Sequence, residues 1–282
     1  MTDRDPAAPP APEATDPSAG LGAGEHRVRV AHGAGGVATV TIDRPERMNA
    51  LDKPSWPALA RAFRTLDADE DVRCVVLTGA GKAFSPGADV SEFEGERGDP
   101  DQAAAYGRLM EETYAAIAEC RHPVLARIAG PCTGAGMVLA LTCDWRIAGQ
   151  SARFGAPVAR LGLAMPYPEF AALHAAVGRA RALEIVFEAR IFDAAEAEAK
   201  GLVNRVVPDR NLDAAIAEAA ERVAAGAPRV HRWHKAFARR LGTGAPLTAE
   251  EVRESYASFG TEDYREGFRA FLEKRPPVFR GR

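Results

Sequence analysis

The sequence predicts an α/β fold, and three observations support this class. Short apolar runs typical of strands alternate with helix-like segments over the first two thirds of the chain. From Ala180 onward, helix-like segments dominate. At 282 residues, the chain is long enough to bury a large core as one domain or two.

The predicted strands are compact runs rich in Val, Ile, Leu and Thr, several of them followed by turn residues. They cover residues 37–42, 72–77, 124–128, 145–148 and 203–207. The predicted helices show apolar residues at helical spacing or consist of strong helix formers such as Ala and Glu. They cover 49–66, 106–118, 136–141, 170–177, 182–188, 194–200, 212–224, 230–241, 249–256 and 262–273.

Composition excludes several classes of partner. The net charge of −3 makes no electrostatic case for nucleic acid. No apolar run reaches the roughly 18–20 residues that a membrane span needs, so we expect no membrane partner. Residues 1–25 are rich in Pro, Ala, Asp and Gly and lack the features of a secretory signal. We therefore expect a disordered tail there and a cytoplasmic location.

Two glycine-containing segments are candidates for binding an oxygen that gains negative charge. In residues 130–136, GPCTGAG, a predicted strand ends and a helix starts with small residues that leave its N–H groups uncovered. Residues 81–89, GKAFSPGAD, offer a second exposed N–H on a turn flanked by glycine. If the two donors converged, they would form an oxyanion hole.

Five motifs in a fixed order give the chain its family resemblance. They are Arg44-Pro45 with 49–51, residues 81–89, residues 130–136 with Cys143-Asp144 and Phe154-Gly155, residues 192–197 with 201–208, and residues 271–275. Together they resemble the crotonase (enoyl-CoA hydratase/isomerase) superfamily over roughly residues 26 to 280.

The resemblance implies a crotonase-like spiral of ββα repeats with a helical C-terminal region. The spiral core would cover residues 26–208, and residues 209–282 would serve trimerisation and coenzyme A contact. It further implies an acyl-CoA substrate and a homotrimer or a hexamer formed by two trimers. We expect no metal and no separate cofactor, because coenzyme A arrives as part of the substrate.

The resemblance also assigns site residues. The backbone N–H groups of Ala88 and Ala135 would hold the thioester oxygen. Arg47 and Met48 would border the nucleotide of coenzyme A, and Phe271 and Lys274 would contact it from the final helix, often across a subunit boundary. Asp89 follows the first oxyanion donor and would lie beside coenzyme A, although an aspartate there also favours fixing the turn through backbone N–H groups.

The sequence departs from the family at both hydratase glutamates. Val138 and Val158 occupy these positions, and valine can neither orient water nor transfer a proton. We therefore expect isomerisation, decarboxylation or C–C/thioester cleavage through an enolate rather than standard hydration. The alternatives are a hydratase with non-standard residues and an inactive acyl-CoA-binding homologue.

The loop at 162–170 offers two replacement groups. Tyr167 could donate a hydrogen bond to a substrate carboxylate or to the enolate, and Glu169 could act as a base if it points inward. In the simpler alternative, Tyr167 is a wall of the pocket and Glu169 is favoured at a helix N-terminus by the dipole. We expect His122, which precedes Pro123, to be solvated.

Overall fold

The structure is a computed structural model that describes residues 27–282, so the predicted tail at 1–25 lies outside the described residues. Within that range, the strands are β1 (Val28–His32), β2 (Val37–Ile42), β3 (Cys74–Gly79), β4 (Val124–Ile128), β5 (Pro131–Thr133), β6 (Trp145–Gly149), β7 (Arg153–Gly155), β8 (Phe192–Asp193) and β9 (Arg205–Val207). The helices are α1 (Ser55–Ala68), α2 (Phe93–Glu96), α3 (Pro100–Glu119), α4 (Ala135–Thr142), α5 (Tyr167–Glu188), α6 (Ala194–Lys200), α7 (Leu212–Ala224), α8 (Pro228–Gly242), α9 (Ala249–Glu254) and α10 (Glu262–Glu273).

A six-stranded sheet in the order β1-β2-β3-β4-β6-β9 forms the centre of the molecule. All its neighbours pair in parallel except β1 and β2, which are antiparallel. A smaller sheet, β5-β7-β8, stands beside it. Parallel neighbours require crossover connections, which the helices supply. The predicted α/β fold class is therefore confirmed.

Helices cover both faces of the large sheet. In β3, Val75 and Leu77 face the larger core, which contains residues of α1, α3 and α4. Cys74 and Val76 face the opposite side, where they pack against α7. This alternation follows from the two-residue period of a strand, and burial on both faces explains why the parallel strands are apolar throughout.

Three of the predicted helices begin elsewhere or merge in the structure. The helix predicted at 49–66 begins only at Ser55, because Asn49 adopts a left-handed φ of 65° in a preceding loop. The helices predicted at 170–177 and 182–188 form one element, α5, with a non-helical Gly178 inside it.

Several features escaped the sequence reasoning. The strands β1, β5, β7 and β8 were not predicted, and three of these four have only two or three residues. The expectation that His122 is solvated was wrong. His122 is buried with 1% exposure beside α8, whose Lys235 ammonium donates to the His122 carbonyl at 3.1 Å. Among residues 27–282, no helix combines the length and apolarity needed to span a membrane.

Candidate active site

The first candidate oxyanion donor, Ala88, lies on a loop that pairs with Leu51. Leu51 N–H donates to the Gly87 carbonyl at 2.8 Å, and Asp89 N–H donates to the Leu51 carbonyl at 2.9 Å. In a bridge of this pattern, the N–H of the middle residue points away from the pairing strand. The Ala88 N–H is therefore directed away from Leu51, and it has no acceptor within the described part of the chain.

Asn49 anchors this loop, and sequence reasoning assigned it no role. Its side-chain amide donates to the carbonyls of Ala80 (2.9 Å) and Ala83 (2.7 Å). The buried Ser85 hydroxyl donates to the Asn49 carbonyl at 2.8 Å, which gives Ser85 a structural contact. An asparagine favours the left-handed conformation found here, and this was the available sequence signal.

The second candidate donor, Ala135, is the first residue of α4. The N–H groups in the first turn of a helix have no intrahelical acceptor. Gly134 precedes it with a φ of 51°, and its own N–H donates to the Gly155 carbonyl at 2.8 Å. Within residues 27–282, the Ala135 N–H has no recorded acceptor.

The two loops are in close contact through glycines. A Cβ atom on Gly87 would lie 2.9 Å from the Ala135 nitrogen, and one on Gly136 would lie 2.2 Å from the Ser85 carbonyl oxygen. The Thr133 hydroxyl also donates to the Pro86 carbonyl at 3.0 Å. Any side chain at position 87 would therefore cover the Ala135 N–H, which glycine leaves open.

Glu169 lies in the first turn of α5, where it is half-buried. The surrounding protein disfavours the charged form and raises its pKa to about 7. The nearby Arg97 charge lowers this pKa, and Glu111 raises it further. A carboxyl with this pKa can donate or accept a proton near neutral pH.

Tyr167 differs from Glu169 in its surroundings. Its side chain is 91% exposed, so it forms no pocket wall within this chain. Residues two apart on a helix project about 200° from each other and face different sides. Only one of the two can therefore face a common pocket.

Val138 and Val158, which the resemblance assigns to the hydratase glutamate positions, differ in burial. Val138 is fully buried in α4, within the larger core. Val158 is half-buried in a short 3-10 segment, Pro157–Leu161, that precedes α5. Neither position supplies a carboxylate.

The residues assigned to coenzyme A lie in two places. Arg47 and Met48 are exposed on the loop that leads to Leu51. The Asp89 carboxylate accepts from the Ser91 hydroxyl at 2.7 Å and from Arg44 at 3.3 Å, and the Ser91 hydrogen bond is the main cause that lowers its pKa. That carboxylate thus fixes its own turn.

The other two coenzyme A candidates lie at the end of α10. Phe271 is 83% exposed, and Lys274 is an exposed residue that caps the helix with a left-handed φ of 54°. Neither side chain has a hydrogen bond or ion pair within the described residues.

Comparison with known proteins places these features in context. Residues 32–282 match the family model described as enoyl-CoA hydratase/isomerase. A probable enoyl-CoA hydratase of Mycobacterium bovis is 36% identical over 248 residues, which cover 86% of this chain and 94% of the relative. A probable enoyl-CoA hydratase of Rhizobium meliloti is 38% identical over 251 residues, 88% of this chain and 96% of the relative.

A solved structure agrees with these matches. The crystal structure of an enoyl-CoA hydratase/carnithine racemase from Magnetospirillum magneticum superimposes with a TM-score of 0.89 and 47% identity. The match covers 91% of this chain and 96% of that one. The names of the two curated relatives favour the hydratase alternative over the expectation of a different reaction.

Proposed function

The chain belongs to the enoyl-CoA hydratase/isomerase family, as its motifs predicted, and from this premise we propose that it acts on an acyl-CoA thioester through an enolate. The N–H groups of Ala88 and Ala135 hold the thioester oxygen, and Glu169 moves the proton. The observation that supports this proposal is the close approach of the two loops, 2.9 Å from a Gly87 Cβ position to the Ala135 nitrogen, while neither N–H group has an acceptor within residues 27–282.

The chemistry follows from these donors. When the Glu169 carboxylate removes a proton from Cα, the electron pair of the C–H bond moves into a C=C bond and the thioester carbonyl gains negative charge on oxygen. Two fixed N–H dipoles stabilise that charge, and each is worth about 3 kcal/mol in comparable sites. Protonation of the enolate by the Glu169 acid reverses the step.

The overall reaction has two candidates. The names of the relatives favour enoyl-CoA hydration, in which Glu169 alone would have to activate water. The valines at 138 and 158 favour a reaction other than hydration of a C=C bond, namely isomerisation, decarboxylation or C–C/thioester cleavage.

Incubation with crotonyl-CoA and with saturated acyl-CoAs in heavy water separates the candidates. Rapid hydration of crotonyl-CoA would establish the hydratase function and overturn the argument from the two valines. Deuterium at Cα of a saturated thioester without hydration would support the enolate reaction alone. Binding of the thioester with neither exchange nor product would mean that the chain is an inactive acyl-CoA-binding homologue.

We also propose assembly as a homotrimer or as a hexamer of two trimers. Large apolar side chains are exposed on α10, including Phe268 at 60%, Phe271 at 83% and Leu272 at 64%. Exposed apolar patches of this kind mark protein or ligand contacts. In such an assembly, Phe271 and Lys274 would contact coenzyme A bound to a neighbouring subunit.

A further inference from the structure

Arg97, directly after α2, is a cation that forms no ion pair within residues 27–282. Its guanidinium carbon lies 3.8 Å from the centre of the Tyr106 ring and 4.6 Å from that of Phe93. Its Nη2 donates to the Met110 sulfur at 3.1 Å, and a hydrogen bond with the Tyr106 side chain contributes to the pKa of that phenol. Its buried Nε has no acceptor in the described residues, and sulfur is a weak acceptor, so the guanidinium keeps unused donor capacity.

Tyr114 supplies a second unused donor close by. Tyr114 is buried, with 6% exposure. Its hydroxyl has no hydrogen-bond partner within the described residues. Tyr106, Met110 and Tyr114 are spaced four residues apart on α3, so they form one stripe along the helix. Tyr114 therefore lies one turn, about 5.4 Å, beyond the residue that contacts Arg97.

A buried polar contact holds this stripe in position. Trp56 meets Tyr114 edge to face at 5.9 Å, and its indole N–H donates to the Tyr106 hydroxyl at 3.0 Å. Burial of an unpaired hydroxyl is unfavourable, and such groups in native proteins call for a ligand or another explanation.

The cluster is connected to the proposed site. The Tyr106 hydroxyl lies 3.4 Å from the carbonyl of Leu51, the residue that pairs with Ala88. The charges of Glu169 and Arg97 both act on the Tyr114 phenol, whose pKa burial raises well above its ordinary value. Arg97 and Tyr114 thus lie in one region along α3, which Tyr106 connects to the residue that pairs with Ala88.

The other charged groups around this region leave Arg97 unpaired. Glu111 acts on Glu169, and Glu92 accepts the Lys53 N–H at 2.8 Å and lies 3.4 Å from the Tyr106 hydroxyl. No carboxylate forms an ion pair with Arg97 within the described residues. A guanidinium and a phenol that are both free to donate are suited to a carboxylate.

We propose that Arg97 and Tyr114 bind a second carboxylate carried by the acyl group, so that the preferred substrates are coenzyme A monothioesters of dicarboxylic acids. This inference rests on the proposed function, since it assigns the substrate class of the same site.

Matched thioesters test the preference. Succinyl-CoA and butyryl-CoA differ by a terminal carboxylate in place of a methyl group, and glutaryl-CoA and pentanoyl-CoA form a second pair. We expect titration calorimetry of the wild-type protein to give a Kd at least tenfold lower for the dicarboxylic thioester of each pair than for its uncharged counterpart. Arg97→Met should abolish this difference, chiefly by weakening the binding of succinyl-CoA and glutaryl-CoA, and Tyr114→Phe should reduce the difference severalfold.

Two further variants control for structure. Arg97→Lys keeps the positive charge and should retain part of the preference. Arg64→Met removes a cation from an exposed 3.8 Å ion pair with Glu112 and should leave the Kd of every thioester unchanged. The proposal is overturned if the wild-type protein does not prefer the dicarboxylic thioesters. It is also overturned if Arg97→Met weakens the binding of both thioesters of a pair equally, which is expected if Arg97 only stabilises the fold. Failure of the proposed function would give a different result: no deuterium would enter Cα of any thioester in heavy water, whichever thioester binds more tightly.

Discussion

Glu169 shows how the environment of one residue changes its chemistry. The protein around its carboxyl raises the pKa to about 7 from the usual range near 4.5. A raised carboxyl pKa means that the folded state binds the proton more tightly than the unfolded state. Its contribution to stability is therefore complete below pH about 4.5 and is lost as the pH rises through about 7.

We predict that Glu169→Gln lowers turnover by a factor of about 10² or more, because a positioned proton-transfer group is lost. Proton abstraction requires the ionised form, so kcat/KM of the wild-type protein should rise with pH through about 7, and this inflection should vanish in the variant. Tyr167→Phe is the control, since Tyr167 is 91% exposed and should be silent. A wild-type profile that is flat between pH 6 and 8 would contradict the assignment.

The proposed role of the Ala135 N–H as an oxyanion donor can be tested by a substitution that removes this backbone N–H. Proline is tolerated at the first position of a helix, so Ala135→Pro should preserve α4 and delete one proposed oxyanion donor. We predict a loss of 10²–10³ in kcat, about 3 kcal/mol, with little change in the circular dichroism spectrum. Ala135→Ser retains the N–H and should keep most of the activity; equal losses in the two variants would argue against the N–H.

At the scale of elements, the loop between β2 and α1 holds the loop after β3 through the Asn49 side chain. We predict that Asn49→Ala lowers the free energy of unfolding by about 3 kcal/mol, because two buried carbonyls lose their donor. Urea titration measures the free energy of unfolding. As a control, Arg29→Ala breaks an exposed ion pair with Asp43 and should lower the free energy of unfolding by less than about 1 kcal/mol. Similar costs for both variants would show that the loops are held by other contacts.

The packing of α8 against the start of β4 makes His122 a source of acid sensitivity. Burial, with the Arg232 and Arg121 charges, lowers its pKa to about 4. A base with a lowered pKa stabilises the fold at high pH, and this contribution is lost as the pH falls from about 6.5 to 4. The full shift corresponds to about 3 kcal/mol.

We predict that His122→Gln flattens the decline of stability between pH 6.5 and 4 in thermal melts. Glu169 contributes with the opposite sign in part of this window, so the comparison is best made in the Glu169→Gln background. His234→Gln, at an exposed position of α8, serves as the control and should leave the slope unchanged. An unchanged slope in His122→Gln would mean that His122 is protonated in the folded protein at mild acidity.

At the scale of the whole molecule, the exposed apolar side chains of α10 support an assembly. We predict that Phe268→Asp converts a trimer or hexamer into smaller species in light scattering after gel filtration, because a charge would be buried in the contact. Arg64→Asp on α1 should leave the mass unchanged. A wild-type protein that is monomeric at micromolar concentration would contradict the proposed assembly.

Prediction from sequence worked best for the large elements. The strands β2 and β4 and the helices α6, α7 and α10 have the predicted bounds, since each has a clear local signal of its own. The start of α1 was wrong because the backbone of Asn49 is held in place by residues more than thirty positions away. The roles of Ala88 and Ala135 as oxyanion donors stay a prediction.

By itself, the sequence determined the α/β class and the family, because strand period, helix period and local motifs are properties of the chain itself. Only the tertiary structure decided which carboxyl has a pKa near neutrality and which half-buried guanidinium stacks on aromatic rings without an ion pair in the described residues. The environments of Glu169 and Arg97 depend on α3 and α5, which are distant in sequence, and the free energy of a charge depends on everything that surrounds it in space.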